Sequence, residues 1–195
     1  MAESWCMKML KKIKINSPLV LSFVGLSLVA LILNYLTEGS SNYYFFSTYN
    51  YSLLNPLTYL RMFTYVLGHA NVTHYLNNMM YILILGPMLE EKYSSKNLLI
   101  SMLITALVTA IIHNLFFPRT ILLGASGIVF MMIVMSSITN YQDGTIPLTL
   151  IIVIVLYLGQ EVIDAFMAVD NISQLTHIIG GLLGAYLGVK LNKQS

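Results

Sequence analysis

Charge is scarce in this sequence: Asp, Glu, Lys and Arg together make up 9% of its 195 residues, where an ordinary soluble domain carries about a quarter. Hydrophobic residues make up 57%, and the mean hydropathy is +0.75. That balance excludes a soluble domain of useful size. It reads as a polytopic membrane protein, one domain with room for about six spans of roughly 20 residues each. Cysteine is nearly absent: Cys6 stands alone, which excludes an intrachain disulfide and a thiol pair for a metal, and leaves redox chemistry without a basis. No His-Glu-x-x-His pattern occurs, and His69 and His74, five residues apart, do not share a helix face. A metal or haem carrier built on the four histidines is therefore disfavoured, and no metal or other cofactor is expected. Internal repeats and low-complexity tracts are also lacking, which weighs against an inverted-repeat transporter. The formal net charge of +2 says little about partners, because placement outweighs the sum in a membrane protein; nucleic acid is not an expected partner.

What is present falls into apolar runs. Residues 1–17 form a basic segment with Lys8, Lys11, Lys12 and Lys14, and an apolar run from Leu19 to Leu36 follows Pro18. The run is long enough to span and no small-x-small cleavage pattern follows it, so it is expected to be a retained first span, with Pro18 suited to the first helical turn. Between Thr37 and Asn71 aromatics abound, Tyr43, Tyr44, Phe45, Phe46, Tyr49 and Tyr51 among them, with Glu38 and Arg61 the only charges. Such a stretch reads as a long loop half sunk at headgroup level. Further spans are expected at about 72–89, 98–117, 126–139, from 146 toward Glu161 and Asp164, and at 175–189. Glu161, Asp164 and Asp170 read as solvated loop residues. With the N-terminus inside, Lys8, Lys11, Lys12, Lys14, Lys92, Lys96, Lys190 and Lys193 all fall on the inner side and Arg61 and Arg119 outside. That asymmetry supports six spans, with a cytoplasmic segment at 1–17, the six-span domain at 18–190 and a cytoplasmic tail at 191–195.

The polar residues left inside these runs cost free energy and mark function when they gather. His74 and Asn78 open the second span, Ser126 opens the fourth and His177 lies at the start of the sixth. All three spans start on the external side, so the four groups come to similar depth. His74 and Asn78 are i and i+4, on one helix face, which favours Asn78 over Asn77. Gly180, Gly184 and Gly188 continue the stripe below His177 and let a neighbouring helix approach closely. Ser126 sits in Gly124-Ala125-Ser126-Gly127; taken alone, those small residues could serve packing only. A serine hydroxyl is a weak nucleophile unless a base takes its proton, and His177 is the available base near neutral pH. Attack on an amide creates an oxyanion that needs preplaced donors, which the Ser126 N–H, the Asn78 amide and the His74 ring can supply. No acidic residue falls at matching depth, so the pair would be a dyad. His113, late in the third span beside Asn114, is expected to have an interfacial structural role.

The motifs together resemble those of the rhomboid intramembrane serine proteases. Gly124-Ala125-Ser126-Gly127 matches the family's GxSG, His177-x-x-Gly180-x-x-x-Gly184 its HxxGxxxG, and His69-x4-His74-x3-Asn78 its HxxxxHxxxN. Arg61-Met62-Phe63-Thr64 resembles its first-loop element, and Gly86-x-x-x-Glu90 the pattern after its second span. The resemblance implies an all-α six-helix bundle with a membrane-embedded first loop and a fifth span that gates lateral access of substrate helices. It implies Ser126 as nucleophile, His177 as base, and His74, Asn78 and the loop at Gly124 around the oxyanion. Arg61, His69 and Glu90 would be structural supports, along with Gly127, Phe130, Gly180 and Gly184. Two departures stand out. Ser94 occupies a position where many members have glycine, and Phe130 one where some carry a tyrosine stacked on the histidine.

The expectation is thus an intramembrane serine endopeptidase acting on transmembrane segments of other membrane proteins in the lipid bilayer. Its expected setting is the inner membrane of a bacterium, with both termini cytoplasmic and the site open to the external side. The alternative is a non-catalytic rhomboid-like protein that binds membrane clients, which would be expected to lack the serine or the histidine.

Overall fold

A computed structural model describes residues 15–139, 146, 148–153, 155–156 and 172–192. Cys6, Lys8, Lys11, Lys12, Lys14, Lys193 and the acids Glu161, Asp164 and Asp170 lie outside the described residues. The described chain is helical: α1 (Pro18–Leu36), α2 (Ser40–Phe45), α3 (Pro56–Thr64) with a 3-10 turn at Tyr65–Leu67, α4 (Val72–Phe116), α5 (Ser126–Ile138), α6 (Leu148–Val153) and α7 (Ile172–Asn192). Among the described residues the only extended pairing is an isolated antiparallel bridge between Thr48 and Leu122. Two helices, α1 and α4, are long and apolar enough to cross a membrane by themselves.

α1 begins at Pro18, whose fixed φ and missing N–H suit a first helical position. The next two donors are capped from afar: Glu90 accepts from the Leu19 and Val20 N–H groups at 3.0 and 3.1 Å and from the Ser95 hydroxyl at 2.7 Å. A carboxylate there also meets the positive end of the helix dipole. Gly86 lets the helices close beneath this cap, since a Cβ at that position would stand 2.6 Å from a Val20 methyl. Leu26, Val29, Ile32 and Leu36 point away from the protein, as a helix bathed in lipid requires.

The second and third expected spans are the two helical halves of α4, which meet at a non-helical residue, Ser94, where φ is 72° and ψ 153°, and not at a loop over 90–92. Glu90, Glu91 and Lys92 are helical, because Glu90 is tied to α1 and Ser95 and the direction changes at one residue instead of over a loop. The expected sunken loop at 37–71 contains short helices, α3 being started by Asn55, whose side chain accepts from the Leu57 N–H at 2.9 Å. α5 is the centre of the bundle. Met131, Met132, Met135 and Ile138 are fully buried, and α5 packs against α4, α6 and, most extensively, α7.

Candidate active site

α5 starts at Ser126, and the residue before it, Ala125, offers no side-chain oxygen to cap the helix. The first N–H groups of α5 are thus left without a side-chain cap. Gly124 holds φ +119°, a region that L side chains rarely adopt, and a Cβ there would lie 2.8 Å from the His74 ring and 3.9 Å from the Asn78 amide nitrogen. Glycine is needed for both reasons, the backbone angle and the close approach. The loop, His74 and Asn78 therefore meet at the mouth of α5. His74 is fixed in the first turn of α4, where its N–H donates to the Asn71 side chain at 2.8 Å. Asn78 is buried, and its amide nitrogen has no hydrogen-bond acceptor among the described residues. A buried donor left unmade is expensive, so this amide is held ready for an acceptor.

The other wall comes from α7. A Cβ at Gly180 would run into the Gly127 carbonyl oxygen, and one at Gly184 into that of Met131. The two backbones are in contact along this seam, as small residues at such spacing allow. His177 lies one turn above Gly180, and its ring stacks on Phe130 with centroids 4.2 Å apart and planes at 8°. Phe130 is one turn after Ser126. His74 and Asn78 stand against Gly124 and His177 stands on Phe130, so residues from α4 and α7 both border the first turns of α5. Phenylalanine at 130 retains the stacking.

His69 is fully buried. Its Nδ1 lies 3.0 Å from the Leu67 carbonyl oxygen and its ring meets His74 edge-on at 5.0 Å, so it braces His74 from behind. Burial, reinforced by His74, pushes the His69 imidazole down to about 4, despite the opposing Leu67 bond. It is neutral near pH 7. Arg61 and Glu90 stand apart from this cluster. Arg61 is buried under Tyr49, 4.3 Å from the ring centroid, and Tyr51, at 5.4 Å; Glu90 caps α1. His113 is buried, with Nε2 3.3 Å from the Thr120 carbonyl oxygen.

Two contacts around the serine loop had no sequence signal. The Gly124 N–H donates to the Tyr65 carbonyl oxygen at 3.0 Å, and Thr48 and Leu122 exchange backbone hydrogen bonds of 2.8 and 2.9 Å. Main-chain bonds leave no mark on residue type. Thr48 is in turn held by the Asn114 amide, at 3.1 Å.

Comparison with known proteins identifies the family of the chain. The Rhomboid domain family matches residues 56–194. Rhomboid-related protein 2 of Mus musculus is 30% identical over 156 residues, which cover 70% of this chain and 52% of that protein. The chain thus spans about half the length of the curated relative it matches. With apolar helices long enough to cross a bilayer and a family match over most of its length, the chain is an integral membrane protein that belongs to the rhomboid family.

Proposed function

We propose that this protein is a serine endopeptidase that cuts membrane-protein substrates in or near their transmembrane segments, with Ser126 and His177 as its catalytic dyad. The observation that carries the reading is the Asn78 amide, a buried donor without an acceptor, placed against Gly124 at the uncapped start of the Ser126 helix. An oxyanion site needs such donors before the charge arrives. His177 takes the proton from the Ser126 hydroxyl as its oxygen attacks the scissile carbonyl carbon. The carbonyl oxygen becomes an oxyanion, met by the Ser126 N–H, the Asn78 amide and the His74 ring. Collapse breaks the C–N bond, with the His177 proton passing to the leaving amine. Water then hydrolyses the acyl-enzyme by the same path, with His177 again as base.

The proposal includes six spans in 18–190, cytoplasmic termini and a site open to the external side, as the lysine distribution favours. A substrate helix must partly unwind first, because helical amides are shielded by their own hydrogen bonds. The test is cleavage of a transmembrane reporter in liposomes by the wild type, Ser126→Ala and His177→Ala, with folding matched by thermal unfolding. The reading expects cleavage by the wild type alone. Equal behaviour of all three would leave a client-binding protein in its place.

A further inference from the structure

The strongest feature outside the catalytic cluster is a buried cation without an anion. Arg61 is 2% exposed, makes one hydrogen bond, from Nη2 to the Thr58 hydroxyl at 3.3 Å, and its Nε has no partner among the described residues. No described carboxylate pairs with it. The rings of Tyr49 and Tyr51 offset part of the cost of burying the charge, yet the local positive potential is left unneutralised.

One side chain away from this charge, behind Thr58 and Tyr51, lies a cavity of about 300 Å³ between loop 1 and the last turns of α4. Thr58, which accepts the Arg61 hydrogen bond, and Tyr51, whose ring faces the guanidinium, both line it, together with Asn50. Its other wall is apolar, with Met62, Ile111 and Leu115, the last two on the outer face of α4. The cavity therefore has polar groups on one side, with the Arg61 charge behind them, and is continuous with lipid-facing side chains on the other. Tyr51 and Asn50 have hydrogen-bond donors to spare: the Tyr51 hydroxyl and the second hydrogen of the Asn50 amide, whose first goes to the Asn114 carbonyl oxygen at 3.2 Å.

We propose that this cavity seats the headgroup of an anionic phospholipid, its phosphate at the Asn50 amide and the Tyr51 hydroxyl, with the Arg61 charge one side chain behind it, and its acyl chains along Ile111 and Leu115. The seat reaches the serine loop through few bonds. Asn114 also lines the cavity, holds Thr48, and Thr48 pairs with Leu122, two residues before Gly124. The lipid thereby completes the anchorage of that loop. The inference is independent of the protease reading, since it concerns binding.

The test uses the delipidated full chain in neutral detergent with three probes: dihexanoylphosphatidylglycerol, dihexanoylphosphatidylcholine and inorganic phosphate. Native mass spectrometry and thermal unfolding read the binding. The expected result is a saturable one-to-one phosphatidylglycerol adduct that raises the melting temperature, with affinity about fivefold above that for phosphatidylcholine. Ile111→Trp, at a half-exposed wall position where the fold should be kept, abolishes the adduct by filling the cavity; Arg61→Gln removes the preference for the anionic lipid if it folds. An equal effect from inorganic phosphate would make this a free-anion site and overturn the lipid assignment. An adduct unaffected by Ile111→Trp, or no saturable adduct, would overturn the proposal outright.

Discussion

The two sides of the serine helix are held by different physics. On the α7 side, the backbones of Gly180 and Gly184 press on the carbonyls of Gly127 and Met131, and no side chain stands between them. On the loop 1 side, irregular backbone is pinned by a few hydrogen bonds, from Gly124 to Tyr65 and between Thr48 and Leu122. The seam is steric and has no slack, so it fixes the distance from His177 to Ser126. The loop side is directional and adjustable, so it sets the orientation of the proposed oxyanion donors. A membrane protein has little hydrophobic driving force between its helices, which makes close backbone contact the natural way to hold a dyad, and irregular backbone at depth tolerable only where protein surrounds it.

The same substitution made on each side separates the two. Gly180→Ala places a Cβ against a main-chain oxygen that cannot rotate away, so α7 must shift. The expected cost is about 3 kcal/mol of stability, the upper part of the range for overpacking, with proteolysis lost because His177 moves with its helix. Thermal unfolding and reporter cleavage measure both. Gly124→Ala meets the His74 ring, which can turn, but forces alanine to φ +119°. Here the stability cost is smaller, about 1–3 kcal/mol of backbone strain, and kcat falls further than stability because the oxyanion donors are misplaced. If Gly124→Ala were the more destabilising of the two, the distinction between a rigid seam and an adjustable loop would fail.

The smallest effect lies away from both sides. Ser94 is a non-glycine residue at φ 72°, at the break in α4. Ser94→Gly should raise stability by about 0.4–1 kcal/mol in a denaturation series and leave cleavage kinetics unchanged, because it touches neither wall of the site. A change in kcat would show that the break communicates with the serine.

Much of this arrangement was legible in the residues. Pro18 marked the start of α1, Ser126 the start of α5, and the glycine stripe below His177 the seam, because helix starts and close packing are written in residue type. The i, i+4 spacing of His74 and Asn78 put both on one helix face, and the structure sets that face against Gly124. The break at Ser94 was visible as a departure from glycine, but not the continuity of α4 through Glu90, since three charges after an apolar run look like a loop until Glu90 is seen capping α1. Thr48 and Tyr65 carried no signal, because they hold the serine loop through their main chains. A structural role for His113 was expected from its place near a helix end, but its contact with Thr120 depends on how the next loop folds back.

Covalent labelling is the most direct test of whether His177 activates Ser126. A fluorophosphonate probe should label the wild type at Ser126, as located by peptide mass, should not label Ser126→Ala, and should label a folded His177→Ala at a rate lower by about 10²–10⁴, the usual contribution of a general base. Equal labelling rates for the wild type and His177→Ala would contradict that activation.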